Sequence, residues 1–291
     1  MIPLLHRLFL ACILIAPPLA AADNFLWEVT SMTNRVYLFG TVHAGKKSWY
    51  PLPAPVEQAF VDSNVLVVEA DITDLDAVAR ASPLMTYAPP DSLAKHVKPD
   101  EYARFRKLLA RYSLQEQQIE QMRPFMAVSL LVFSEWARLG YLPQYGVDAY
   151  LIAKAKAENK AIVEIEGLAM QTKLIDSLTE AEVARLFEGT LTALESGLTG
   201  EQITGMVNAW QSGDPRLLLE IARKYNDTVP GAKEFEGKFI WARNDSMADK
   251  IEGYLNGSKD RHFVAVGSLH LSGPSGLVEM LKKRGYIVRQ R

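Results

Sequence analysis

Residues 35–43 read RVYLFGTVH, and the fold prediction starts from this stretch. Its β-branched and aromatic run, Arg35–Phe39, predicts a strand that stops at Gly40. Residues 55–63 then predict one or two helical turns with proline at the entry, and VLVV at 65–68 predicts a second strand. Apolar runs without alternation indicate strands that are buried on both faces. Strand, helix and strand in this order predict a βαβ unit with parallel strands.

The rest of the chain predicts a long helical segment between two parts of one sheet. From about 74 to 230 the sequence is rich in Ala, Leu, Glu, Gln, Lys and Arg, which favours helices. One apolar stretch near 161–165 interrupts them as a third buried strand, and the sheet signal returns at 262–266 and 286–289. We therefore predict an α/β domain over residues 23–291. Its central sheet is mainly parallel and built from both chain ends, and it carries a large helical insertion.

Composition limits the class of protein. The chain has 291 residues, of which 48% are hydrophobic and 23% charged, as in ordinary globular proteins, so disordered and multi-spanning membrane proteins are excluded. Lys and Arg number 32 against 34 Asp and Glu, which gives a formal charge of -2. Such a balance lacks the basic face that nucleic acid requires, so we predict no nucleic-acid partner.

Residues 1–22 have the features of a cleavable signal peptide. An early Arg precedes the apolar run Leu8–Ala16, and Ala20–Ala22 supplies the small residues of a cleavage site. The apolar run is about half as long as a membrane span, so we predict a periplasmic or secreted protein with no stable membrane anchor after cleavage. Cys12, the only cysteine, lies inside this run. The mature chain therefore has no disulfide, cysteine metal site or cysteine nucleophile.

Two segments repeat one motif, Gly-x-x-His. FGTVH at 39–43 and VGSLH at 266–270 each follow a predicted strand. With 18 Gly and 5 His in the chain, fewer than one such match is expected by chance. Because the carboxyl ends of parallel strands form the crevice of α/β sheets, His43 and His270 should converge there. Each histidine taken alone is explained as well by packing or helix capping, but the matched pair favours a functional site.

Carboxylates follow the other predicted strands. Glu69 ends the second strand, and Glu164 with Glu166 ends the third, two residues apart and therefore on one face. Two imidazoles with one or two carboxylates can bind a divalent metal with an open coordination position. The same groups serve metal-free acid–base chemistry, and both interpretations stay open. Glu69 can also be a helix cap or a salt-bridge partner.

Other motifs narrow the chemistry. Arg243 and Asn244 lie on a helix predicted from about 235 to 254, where a guanidinium and an amide can hold an anionic intermediate or a substrate carboxylate; surface solvation is the other interpretation. GTVHAGKKS at 40–48 nearly matches a phosphate-binding loop, but its hydroxyl position holds Lys47, so we predict no nucleotide site. The His-Glu-x-x-His and Gly-x-Ser-x-Gly motifs are absent.

Together these segments resemble the TraB/GumN family, whose relatives include the TIKI-type metal-dependent proteases. The similar segments are LWEV at 26–29, VYLFGTVH at 36–43, VVE at 67–69, RN at 243–244 with Met247, and VAVGSLH at 264–270. The resemblance spans nearly the whole mature chain and is weakest in the helical middle, where only Glu166 is carried over. The family fold is also similar to that of erythromycin esterases and of a haem-binding lipoprotein.

The resemblance implies an exported hydrolase, above all a metal-dependent peptidase acting on a peptide or small-molecule substrate. The site residues that it implies are the metal ligands His43, Glu69 and His270, a second ligand or general base, Glu166, and Arg243 with Asn244 as holders of the oxyanion or substrate. The cofactor would be a divalent ion, with Mn, Co and Zn all compatible. The alternative is a non-catalytic periplasmic binding protein, for haem or for a polysaccharide-export partner, that uses the same crevice.

Overall fold

A computed structural model describes residues 24–226 and 229–291, so the predicted signal peptide lies outside the described residues. Six strands form one sheet in the order β4-β3-β5-β2-β1-β6. Their bounds are β1 Leu26–Thr30, β2 Arg35–Thr41, β3 Val65–Val68, β4 Ala161–Glu164, β5 His262–Gly267 and β6 Ile287–Gln290. Strands β2, β5, β3 and β4 pair in parallel, with Val36 opposite His262. The two chain ends therefore meet in one sheet, as predicted.

The sheet is mixed, and the prediction of a mainly parallel sheet was wrong. Strand β1 pairs antiparallel with both β2 and β6. No strand was predicted at Leu26–Thr30, and the antiparallel pairs of the sheet are formed by this segment. Only the short turn Ser31–Asn34 links β1 to β2. Because parallel strands need a long crossover, a connection of this length returns the chain antiparallel.

Most of the helices lie in the segment from about 74 to 230 that was predicted to be helical. Their bounds are α1 Ala54–Val61, α2 Leu75–Ala81, α3 Pro99–Arg111, α4 Pro124–Arg138, α5 Val147–Ala157, α6 Leu168–Asp176, α7 Glu180–Glu195, α8 Leu198–Gln211, α9 Pro215–Asn226, α10 Ala232–Glu236, α11 Ala242–Gly257, α12 Ser268–Leu271 and α13 Leu277–Lys283. A π-helical turn, Gly237–Trp241, joins α10 to α11. Among the described residues, no helix has both the length and the apolar character to cross a bilayer.

Two large apolar cores, with a smaller cluster that includes Ala44 and Tyr141, hold the described elements together. The first lies on the sheet, where β2, β3 and β5 are almost entirely buried and Phe263 is inaccessible to solvent. The second lies within the helices, around Phe105, Leu131 and Phe187 of α3, α4 and α7. Strand β4 differs from its prediction, since it is largely exposed rather than buried. The reason is its position at the edge of the sheet.

The parallel strands bring four chain segments to one edge of the sheet. Strand β5 lies between β2 and β3, with Gly267 in register with Thr41 and Ala265 in register with Val68. The residues that follow β2, β3, β4 and β5 therefore meet at the same carboxyl edge. All the predicted site residues except Arg243 and Asn244 come from these segments, and α11 supplies those two.

Candidate active site

Gly267 lies at the centre of the predicted site residues. We call His43, Glu69, His270 and Arg243 the catalytic cluster. A β-carbon on this glycine would lie 3.3 Å from Oε1 of Glu69, 3.6 Å from Cδ2 of His270 and 4.0 Å from Nε2 of His43. The two imidazoles are therefore brought together, within the roughly 10 Å beyond which side chains cannot share an ion. Any side chain at this position would intrude among the three groups. Gly40 of the other motif serves packing, because a β-carbon there would collide with the ring of Phe25 at 2.4 Å.

His270 is buried and held in one tautomer. Its Nδ1 lies 2.6 Å from Oδ1 of Asn244, whose amide nitrogen donates to the carbonyls of His270 and Ser275. Oδ1 is thus the acceptor, and Nδ1 carries the proton. Nε2 therefore has a free lone pair, and it lies 3.8 Å from Oε1 of Glu69. Burial lowers the pKa of His270 to about 4, against the attraction of Glu69. The ring is neutral at pH 7.

His43 has the opposite environment. Its side chain is 62% exposed and borders a cavity, and its Nδ1 lies 2.8 Å from Oδ2 of Asp148. The other Asp148 oxygen accepts a hydrogen bond of 2.6 Å from the Thr41 hydroxyl. The charge of Asp148 is the largest cause of the raised pKa of His43, which is about 9. With Nδ1–H held by a carboxylate, Nε2 faces the cluster.

Glu69 connects the two motifs. Its Oε1 accepts the backbone N–H of Gly267 at 2.7 Å, and its Oε2 contacts the Arg243 guanidinium and accepts from Gln171 at 3.2 Å. Burial alone would raise the pKa of this carboxyl, but His270, Arg243 and the Gly267 N–H together lower it to about 2. Glu69 is therefore an anion fixed between a histidine and an arginine.

Glu166 holds Arg243. The side chain of Glu166 is 1% exposed and forms a fork with Nε and Nη2 of Arg243, while Nη1 donates to the carbonyl of Phe239. Glu166 therefore faces the guanidinium, where it orients Arg243, rather than standing free as a second ligand or general base. The predicted common face with Glu164 was wrong: the strand ends at Glu164, whose carboxylate instead accepts the backbone N–H of Asp71.

Asn244 lies behind His270 and not in the cavity. It is 1% exposed, and its oxygen and its nitrogen are both engaged by hydrogen bonds. The amide thus has no group left for an oxyanion or a substrate, and its role is to fix the ring of His270. Arg243, its neighbour in sequence, does border the cavity.

The cluster forms the polar floor of a large cavity. The cavity has a volume of about 530 Å³, and its walls are mostly apolar. Among the described residues, four phenylalanines line it: Phe235 and Phe239 stack at 4.2 Å between ring centroids, Phe125 lies 5.6 Å from Phe239, and the fourth is Phe133. Pockets that place a few convergent polar groups among apolar walls are typical of ligand and active sites.

Two polar residues of the site escaped the sequence analysis. Asp148 lies in the first turn of α5, 105 positions from His43 in the chain, and Gln171 lies in α6. Neither belongs to a motif or ends a strand. The only local signal is that acidic residues favour first helical turns, and Asp148 shares it with several other acids.

We tested whether the predicted ligands suit a divalent ion. The chemistry of the donors suits one, because His270 presents a bare Nε2 that lies 3.8 Å from a Glu69 oxygen, the spacing of two ligands on one ion. The full set is not assembled as placed: within 24–226 and 229–291, no three His, Cys, Asp or Glu side chains stand close enough together to hold a metal ion. Arg243 also already neutralises Glu69.

Comparison with known proteins identifies the family. The sequence model of the TraB/PrgY/gumN family matches residues 25–290, which is nearly the whole described chain. The chain belongs to the TraB/PrgY/gumN family. The resemblance drawn from the two Gly-x-x-His segments is thereby confirmed.

Similar family members come from bacteria and animals. YbaP of Escherichia coli (strain K12) is 24% identical over 89% of this chain and 94% of its own length. Metalloprotease TIKI2 of Xenopus tropicalis is 22% identical over 91% of this chain, which corresponds to 59% of TIKI2. A Metalloprotease TIKI homolog of Nematostella vectensis is also 22% identical, over 91% of this chain and 66% of its own length. No solved structure gives a significant match.

Proposed function

We propose that this protein is an exported hydrolase, a peptidase that requires a divalent ion bound at the carboxyl edge of its sheet. One observation carries the proposal: two Gly-x-x-His motifs place both imidazoles beside Glu69 and Gly267, and each imidazole has its Nδ1 engaged by a supporting side chain. Relatives named as metalloproteases support the reaction class. The predicted signal peptide supports export.

The residues that would hold the ion are His43, His270 and Glu69. Metal-binding histidines are commonly oriented by a partner on the second ring nitrogen, and Asp148 and Asn244 have that relation to the two rings. A bound divalent ion would lower the pKa of a water molecule and polarise a scissile carbonyl. Because the pKa of His43 is about 9 without an ion, binding must displace its proton, so affinity rises with pH up to that value.

Arg243 would contact the substrate. A guanidinium has five N–H donors, and Arg243 uses its Nε, one Nη1 hydrogen and both Nη2 hydrogens within the protein. One Nη1 hydrogen is left to contact a substrate carbonyl or a developing oxyanion. The apolar cavity walls would keep bulk water away from the scissile bond of the substrate. Exclusion of water strengthens the contact between the Arg243 N–H and the substrate oxygen.

The test measures turnover and metal content on the same protein. The purified mature chain is assayed on a peptide library, with mass spectrometry of products, before and after chelation and after return of Mn, Co or Zn. His43→Ala and His270→Ala should each lower turnover by about 100-fold or more, since even supporting residues of metal sites cost tenfold to 100-fold. His96→Ala is the matched control, because His96 pairs with Asp91 away from the cavity.

Three outcomes decide between the alternatives. Turnover that is lost with chelator and restored by one ion supports the proposal. Turnover that survives chelation but not loss of His43 indicates metal-free acid–base chemistry. A tightly retained pigment or ligand without turnover of any peptide indicates the binding-protein alternative.

A further inference from the structure

A second apolar space lies beside the active-site cavity. We call it the side chamber: it has a volume of about 370 Å³ and lies among helices α4, α7, α8, α9 and α10. It shares several wall residues with the active-site cavity, among them Phe125, Phe133, Trp136, Met206 and Leu269. Because these residues line both spaces, the side chamber adjoins the cavity above the catalytic cluster.

Several polar side chains in the walls of the side chamber form hydrogen bonds within the protein. Ser129 donates to the carbonyl of Phe125, and Gln202 donates to the carbonyl of Ala222. Glu236 accepts from Asn226 and from the indole of Trp241. These three side chains therefore already have hydrogen-bond partners within the protein. The other wall residues are mostly aliphatic and aromatic.

The charges at the cavity floor identify the part of a ligand that would lie there. The Arg243 guanidinium already contacts the two carboxylates of Glu69 and Glu166, and one of its N–H groups is left for a ligand. Arg243 therefore has no spare positive charge for a free carboxylate. A neutral acyl bond, whose carbonyl accepts one hydrogen bond, fits this floor better.

We propose that the side chamber binds an extended apolar acyl chain whose amide bond lies over the catalytic cluster. A linear chain of this kind would run from the cavity floor between the shared wall residues into the side chamber. The inference rests on the proposed hydrolase function, which it refines by naming the substrate class. In the reaction the amide C–N bond breaks, the hydroxyl of water joins the acyl carbon, and its proton goes to the leaving amine.

The first test measures binding alone. Titration calorimetry with N-methyl amides of linear acids, from butanoic to dodecanoic, should show affinity that increases about threefold to fourfold with each methylene until the side chamber is full. The carboxylate of the same length should bind more weakly than its amide. Affinity that does not change with chain length would overturn the proposal.

The second test fills the side chamber. Thr190→Phe and Val132→Phe each place a ring in its wall, and both should shorten the longest chain that still gains affinity. Ala184→Phe is the control, since Ala184 lies on the exposed face of the same helix as Thr190 and lines neither cavity. Thermal unfolding confirms that each variant folds, and two filling variants guard against the failure of one. Equal chain-length profiles in all three variants would contradict the proposal.

The last measurement separates this inference from the proposed function. Acyl amides of aminomethylcoumarin, from acetyl to dodecanoyl, are assayed for release of the fluorescent amine. Rates that rise with chain length in the wild type and not in Thr190→Phe support both ideas. Chain-length-dependent binding without hydrolysis contradicts the hydrolase and leaves the side chamber in place. Hydrolysis of peptides with no dependence on chain length contradicts the side chamber alone.

Discussion

The two Gly-x-x-His motifs produce two different histidines. Both rings lie beside Gly267 and both follow a parallel strand. His270 is buried, bonded to a neutral amide, and has a pKa lowered to about 4 by burial. His43 borders the cavity, is bonded to a carboxylate, and has a pKa raised to about 9 by Asp148. The motif therefore sets where an imidazole lies, while the partner of its Nδ1 and its burial set its charge.

This contrast divides the cluster into a rigid side and an accessible side. His270, Glu69, Arg243 and Glu166 form one buried network with few solvent contacts. His43 and Asp148 form a separate pair at the cavity wall. We expect changes on the rigid side to affect the stability of the protein strongly, whereas changes on the accessible side should affect titration and turnover with little loss of stability.

The largest effect should come from Arg243→Met. The substitution leaves Glu69 and Glu166 buried without their cation, and breaking a buried ion pair in this way costs about 3–5 kcal/mol. Urea unfolding monitored by circular dichroism measures the loss. Arg35→Met is the matched control. Arg35 is 42% exposed, and its guanidinium lies as far as 3.9 Å from the Glu28 carboxylate, so its loss should cost below about 1 kcal/mol. Equal losses for the two variants would show that the network is not rigid.

The next largest effect is a loss of stability at acidic pH that is caused by His270. Its pKa of about 4 in the folded protein lies below the ordinary 6.5, so between these pH values the unfolded chain binds a proton at this ring and the folded chain does not. Stability should therefore fall as the pH drops from about 6.5 to about 4, by about 3 kcal/mol in total. Glu69, whose pKa is lowered to about 2, adds a further loss below about pH 4.5.

Unfolding free energies across that pH range check this expectation. His270→Gln should remove most of the loss between pH 6.5 and 4. Burial also lowers the pKa of His262, so His262→Gln serves as the comparison and should remove a smaller share. A wild-type profile that stays flat over this range would contradict the neutral, buried state of His270.

Asn244→Leu should have a smaller effect on the same side. It leaves the Nδ1–H of His270 buried without an acceptor, at a cost of about 1–3 kcal/mol. It also frees the ring to adopt the other tautomer, so turnover should fall together with stability. The control is Asn256→Leu on the exposed end of the same helix, where the amide donates to the hydroxyl of Tyr286. A rise in stability for Asn244→Leu would show that apolar packing outweighs the lost hydrogen bond.

The sequence predicted the buried parallel strands and the residues that follow them, because these features depend on short runs of neighbouring residues. The apolar runs of β2, β3 and β5 and their glycine endings fix strands and turns within a few residues. The meeting of His43 and His270 followed from these runs, because parallel neighbours end at one edge. The TraB/PrgY/gumN family could therefore be named from the same segments.

What could not be predicted depends on distant partners. Leu26–Thr30 becomes a strand because it pairs with β2 and β6, and this pairing makes the sheet mixed. Asp148 reaches His43 across 105 positions, and no pattern near either residue indicates the contact. Glu166 looks like a free acid in sequence, but the fold places it against Arg243. The ion pair of Glu166 with Arg243 and the hydrogen bonds of Asn244 to His270 and Ser275 thus give these two residues supporting positions that their local sequence does not indicate.

The smallest effect on stability, and the sharpest test of the comparison, should come from Asp148→Asn. The carboxylate is the main cause of the raised pKa of His43, so the variant should bring that pKa from about 9 down towards 6.5. A proton NMR titration of the ring measures it directly. In the wild type the stabilising contribution is complete below about pH 6.5 and is lost as the pH rises to about 9. Because His43 is 62% exposed, this contribution stays below about 1 kcal/mol.

Asp91→Asn is the matched control for Asp148→Asn, since Asp91 pairs with His96 at a similar distance of 2.8 Å but lies apart from the cavity. It should leave the titration of His43 unchanged. If His43 keeps a pKa near 9 in Asp148→Asn, then Glu69, the other carboxylate that raises it, dominates, and the two motifs differ less than their partners suggest. If the pKa falls as expected, ion binding to the variant should begin at lower pH, because less proton displacement is required.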